Sequence, residues 1–143
     1  MLPRVFIVSP VACATLAISS ATPVGATLPI QKVFVDQYLA EHPDREFVDY
    51  VRTEAKCFTC HQGVKDRKNH NAFGSALEKR LDDANRKDAA KVLAAIRDVE
   101  SHLMDMANPD GPTFAERIRA SKLPGGDLAD SQREPQNATT VSR

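Results

Sequence analysis

The chain has 143 residues, 19 basic and 19 acidic side chains, a formal net charge of zero and 42% hydrophobic residues. This length holds one small domain, not two, and a balanced charge supplies no one-sign field for nucleic acid, so no such partner is expected. Nine prolines, three cysteines and no tryptophan complete a composition that is ordinary for a globular chain.

The N-terminal stretch starts positive at Met1 to Arg4, continues with an apolar run from Val5 to Ile18, and ends in the small residues Val24-Gly25-Ala26. That order reads as a secretory signal peptide over residues 1–26. Ser9 and Pro10 interrupt the run, which is shorter than the roughly 20 residues of a membrane span, so no stable membrane insertion is expected after cleavage. Cleavage removes Cys13 and leaves Cys57 and Cys60 in a periplasmic or secreted protein.

From Ile30 onward the pattern is helical, with no sustained two-residue alternation, which makes the expected class all-α. Val33, Phe34, Tyr38 and Leu39 suit one face of a first helix, which His42-Pro43 closes. A second helix from near Asp44 buries Phe47, Val48 and Val51 and delivers Cys57 at its end. After a basic loop from Gly63, Asn71 is placed to cap a third helix striped by Phe73, Ala76, Leu77 and Leu81. A fourth helix is expected from about Lys87 to Met106, with Val92, Ile96, Val99, Leu103 and Met106 on one seam. Asn108-Pro109-Asp110-Gly111-Pro112 signals a turn, and Thr113 can cap a last short helix carrying Phe114 and Ile118. Leu123-Pro124-Gly125-Gly126 stops that helix, so the domain is expected over 27–126 and a disordered tail over 127–143.

The stretch that carries chemistry is Cys57-Phe58-Thr59-Cys60-His61. Two cysteines three positions apart sit on one side of a helical turn and can form thioethers to the two vinyl edges of one porphyrin; the next residue then meets the iron. The pattern therefore reads as a covalent attachment site for one haem c, with His61 as proximal ligand. A disulfide, a redox-active thiol pair, or a zinc site built from Cys57, Cys60, His70 and His102 are the competing readings. For the second axial position the choice falls on Met106, at the end of the expected seam, ahead of His70, Met104, His102, a lysine or an open position. Phe34, Phe47, Tyr50, Phe73 and Phe114 make a thin aromatic core, which a buried porphyrin would fill. The loop Lys65-Asp66-Arg67-Lys68 is either a solvated connection or a contact for haem propionates or an acidic partner.

With these residues the chain resembles the small exported mono-haem c-type cytochromes. The likeness rests on Cys57 to His61 followed by Gly63, and more loosely on Asn71-Ala72-Phe73-Gly74, on Thr113-Phe114 and on Lys122-Leu123-Pro124-Gly125-Gly126. It implies an all-α fold wrapped around one haem, with Cys57 and Cys60 as thioether sites and His61 as proximal ligand. The distal region departs from class I cytochromes c, whose methionine lies in a proline-containing loop, whereas Met104 and Met106 read as helical. The implied function is one-electron transfer between redox partner proteins by a monomer outside the cytoplasm. The alternative is a five-coordinate haem that binds a gas or reacts with peroxide; no acid-base pair is visible beside the motif, so an enzyme is not expected.

Overall fold

The computed structural model describes residues 29–135, so the expected signal peptide and the last eight residues lie outside the described region. Within it the chain is all-α: among the described residues there is no β-strand, only two isolated antiparallel bridges, His61 with His70 and Leu103 with Thr113.

Helix α1, Pro29–Phe34, begins on a proline, whose fixed φ and missing N–H suit a first helical position. It widens into a π-helical turn, Val35–Leu39. Helix α2, Arg45–Tyr50, is capped by the Asp44 carboxylate, which accepts from the Phe47 N–H at 3.0 Å, and it too widens, over Val51–Ala55. A 3₁₀ turn, Lys56–Thr59, follows and carries the first cysteine. Helix α3, Ala72–Glu78, is capped as expected by Asn71, and a 3₁₀ turn, Asn85–Lys87, leads to α4, Ala89–Val99. Thr113 and Glu116 form a reciprocal capping box at the start of α5, Phe114–Arg119. Helix α6, Leu128–Gln132, ends the described fold. No described helix is long and apolar enough to cross a membrane.

Phe34, Phe73 and Phe114 are buried and run through the core edge to face, with ring centres 5.8 Å and 5.2 Å apart. Each such ring contributes roughly 1.5–3 kcal/mol by leaving water. Leu39, Phe47, Val51, Leu77, Val92 and Ile96 close around them. Tyr38 ties the end of the first helix to the end of α4 through a 2.6 Å bond from its hydroxyl to Glu100, and burial, then that carboxylate, push its pKa well above the usual phenol range.

Two expectations fail. The fourth helix starts after Asp88, whose side chain caps Ala90 and Lys91, and stops at Val99 instead of reaching Met106. Beyond it the backbone doubles back: Ala115 N–H donates to Glu100, Phe114 N–H to His102 and Met104 N–H to Pro112, at 2.9–3.0 Å. These bonds replace the i to i−4 ladder, Asp105 turns the chain by accepting from Ala107 N–H, and Met106 is left 82% exposed. The second failure is the tail. Residues 127–135 dock on the domain: Ser131 is buried, its carbonyl accepts from Gly63 N–H at 2.8 Å, and the Glu134 carboxylate accepts from Val64 and Lys65 N–H at 3.0 Å. A polar sequence stays ordered here because its acceptors meet the unpaired amides of a loop 70 residues upstream.

Candidate functional site

The site is built on the tight turn that follows α2. Cys60 N–H and His61 N–H both donate to the Cys57 carbonyl, at 3.2 Å and 2.9 Å, which winds the five-residue motif into one compact turn. Lys56, just before it, adopts φ +44°, a left-handed conformation that a non-glycine residue takes at a cost of about 1–3 kcal/mol. The loop from Gln62 is closed by Gln62 N–H to Asn69 O and Asn71 N–H to Cys60 O, both 3.0 Å, which sets His61 opposite His70. Asn71 clamps the turn to α3. Its amide donates to the Phe58 and Thr59 carbonyls at 2.9 Å and 3.3 Å, while its oxygen accepts from Gly74 N–H at 3.1 Å.

A cavity of about 630 Å³ opens against this turn, within the roughly 300–1,000 Å³ span of small-molecule and cofactor sites. Ile30, Phe34, Val51, Leu77 and Leu81 give it apolar walls; Cys57, Cys60, His61 and His70 form its chemical face. Both cysteines are free thiols. Burial, and secondarily Cys57, push the Cys60 thiol up to about 12, so it is held protonated and is a poor thiolate for redox exchange.

His61 has a pKa below its ordinary 6.5, first because it is buried and then because His70 stands beside it. The two rings lie 4.9 Å apart, tilted by 33°. A neutral imidazole is the ligand form, and His61 Nδ1 is buried without a hydrogen-bond partner, as is the hydroxyl of Thr59. His70 is differently held: its Nδ1 lies 3.0 Å from the Glu78 carboxylate, which leaves the Nε2 lone pair unspent.

The motif residues Cys57, Cys60 and His61 thus come together at the cavity, and His70 joins them. Met106 does not. It projects into solvent from the turn after α4, away from the cavity lining, because the seam that was to carry it ends at Val99. Met104 packs on the core and His102 sits in the doubled-back segment, both outside the lining. The four-residue zinc set is therefore not assembled, and among the described residues no three His, Cys, Asp or Glu side chains converge on a metal position. The loop from Lys65 to Lys68 is also outside the cavity; the cations on its wall are Lys56, Arg86 and Lys87.

Sequence reasoning missed Glu78. It falls on the third helix and eight residues from His70, with no spacing signal to join them; the bend at the Asn71 cap brings them together. No protein-family model, curated protein or solved structure matches the chain.

Proposed function

We propose that the protein is a mono-haem c-type cytochrome that carries single electrons outside the cytoplasm, its haem linked to Cys57 and Cys60 and ligated by His61. The observation that carries this reading is an apolar, cofactor-sized cavity whose one reactive wall holds two free thiols and a neutral imidazole. A porphyrin needs such a shape and such apolar surroundings, and the residues present fit it. When bound, the haem supplies a reversible one-electron couple.

The chain's own residues supply the rest. Phe34, Val51, Leu77 and Leu81 exclude water from the cavity, and burial holds His61 there toward its neutral form. Cys57 is exposed, so a group linked to it would lie within reach of a redox partner. His70, not Met106, would supply the second ligand. It lines the cavity, and its Nδ1–H to Glu78 leaves Nε2 available, the carboxylate–histidine arrangement of metal-ligating imidazoles.

The same pair supports a second reading. If His70 Nε2 stays off the iron, its Glu78-held imidazole would be an acid-base group beside an open position, as a peroxide-reactive haem uses, and the open position would admit a gas. Protein matured in a host with extracytoplasmic haem-attachment machinery separates these possibilities. Colour that survives denaturation and acid-acetone extraction supports haem c; haem that washes out, or a colourless protein with stoichiometric zinc, refutes it. Carbon monoxide binding by the ferrous parent selects the open site, whereas binding gained only in His70→Ala selects ligation by His70.

A further inference from the structure

The charged residues on the cavity wall do not all have partners. The 3₁₀ turn Asn85–Lys87 is fixed by Asp82, whose side chain accepts from Asn85 N–H at 2.7 Å and whose carbonyl accepts from Arg86 N–H at 3.0 Å. It presents Arg86 to the cavity. The Arg86 Nε donates to the Leu81 carbonyl at 3.4 Å, and the side chain is 39% exposed. Its terminal nitrogens make no hydrogen bond. Glu78 lies 3.8 Å away and Asp83 3.6 Å, both beyond hydrogen-bonding range.

Both carboxylates hold it loosely. Glu78 meets His70 through Oε2 at 3.0 Å and turns its other oxygen toward Arg86, and the Asp83 side chain is 99% exposed, where water screens it. Arg117 shows the contrast, since its Nε and Nη2 are spent on Leu123 O and Asp127 at 2.7 Å and 3.1 Å. A guanidinium has five donors in a planar fork that matches a carboxylate. On the Arg86 fork, the terminal donors that suit a bidentate anion face carboxylates at 3.6–3.8 Å but hydrogen-bond to neither.

We infer that Arg86, with Lys87 beside it, anchors a carboxylate of the cavity's occupant. On the haem reading, on which this inference rests, that carboxylate is a porphyrin propionate. With its vinyl edges tethered at Cys57 and Cys60, such a porphyrin would present its propionates from a different edge. Along the wall His61 meets His70, His70 meets Glu78 and Glu78 meets Arg86, which sets Arg86 two side chains beyond the imidazole pair. Lys56 adjoins Cys57 in the chain and belongs to the tethered side. On this reading the propionate contact that was one alternative for Lys65 to Lys68 falls to a different turn, and those residues stay outside the cavity.

The test is the reduction potential of the haem-loaded full chain measured from pH 4 to 9. A propionate held by Arg86 stays ionised into acid, and the potential rises only once it takes up a proton. In Arg86→Gln that rise should start about 1–3 pH units higher, the usual effect of losing an opposite charge at contact distance. Arg86→Lys should restore part of it, Lys87→Gln should move it less in the same direction, and Lys65→Gln should leave it in place. Superimposable curves for the parent and both Arg86 variants, with extraction-resistant haem in all three, would overturn the anchor and leave the haem reading standing. Absence of extraction-resistant haem from the parent would overturn both.

Discussion

Asn71 offers a perturbation in which a local rule and the tertiary structure predict opposite results. It is 5% exposed, caps α3 through its oxygen, and through its NH₂ group satisfies the carbonyls of Phe58 and Thr59 inside the five-residue motif. Asn71→Ala removes the cap, worth about 1 kcal/mol, and orphans buried carbonyls at about 1–3 kcal/mol. The total is roughly 2–4 kcal/mol, a large part of a small domain's stability. Asn71→Asp is the sharper experiment, because Asp caps as well as Asn and helix propensity alone predicts no change. Here its carboxylate would face two carbonyl oxygens in place of a donor. The folded pKa of that carboxyl must then lie above its unfolded value near 3.9, so its stability deficit is small in acid and grows as the pH rises through the folded value. Urea unfolding of the haem-loaded variant at pH 7 and pH 5 should show a loss of about 2 kcal/mol or more at pH 7 and a smaller one at pH 5. An Asn71→Asp variant as stable as the parent at pH 7 would refute the clamp and reduce Asn71 to a cap.

Gly74→Ala should lower stability by about 1–3 kcal/mol in the same assay, even though Ala gains about 1 kcal/mol in an ordinary helix position, because its Cβ would fall 2.0 Å from the Cys60 carbonyl oxygen and 3.1 Å from the His70 ring. A net gain would show that the turn can yield. Thr59→Val should be neutral or raise stability by about 1 kcal/mol, since it removes a buried hydroxyl with no partner; a loss of that size would reveal a partner in the loaded protein. The downward shift of His61, caused first by burial and then by His70, favours its neutral form relative to a free imidazole. Its contribution as a neutral ligand is therefore complete above 6.5 and is lost only as the pH falls through the lower folded value. Acid loss of His61 ligation in the loaded protein should be centred below 6.5, and loss centred at or above that value would contradict the shift.

The parts of the fold that were legible are those governed by nearest neighbours. Asp44, Asn71 and Thr113 announce helix starts because a cap needs only an acceptor and an amide two or three residues on, and all three cap in the structure. Phe34, Phe47, Phe73 and Phe114 are buried where helical spacing put them. Met106 shows where spacing stops informing. Its seam of fours and threes is compatible with a longer α4, but pairing of Glu100, His102 and Met104 with residues 112–115 is a tertiary competitor that periodicity does not contain. The two π-helical turns and the docked α6 escaped for a related reason: each depends on what the segment packs against.

The site divides along the same line. On the haem reading, attachment and proximal ligation need three side chains within five residues, so their chemistry is written locally and survives any rearrangement elsewhere. The opposite functions, ligating the sixth position and holding the carboxylates, need side chains that the fold carries to the cavity from 13 to 29 residues beyond Cys57, and only the fold selects among them. His70 is selected because Gln62 and Asn71 close a bridge beside the motif. Arg86 is selected because Asp82 ties its turn down. Glu78 links the two, bonded to His70 and 3.8 Å from Arg86, so the imidazole and the guanidinium share one carboxylate. Glu78→Gln should then disturb both at once: it weakens the hold on His70 Nδ1 and removes one of the two carboxylates that face Arg86. If the two groups act independently, the carbon monoxide response and the acid rise in potential would change separately in His70 and Arg86 variants, and Glu78→Gln would alter at most one of them.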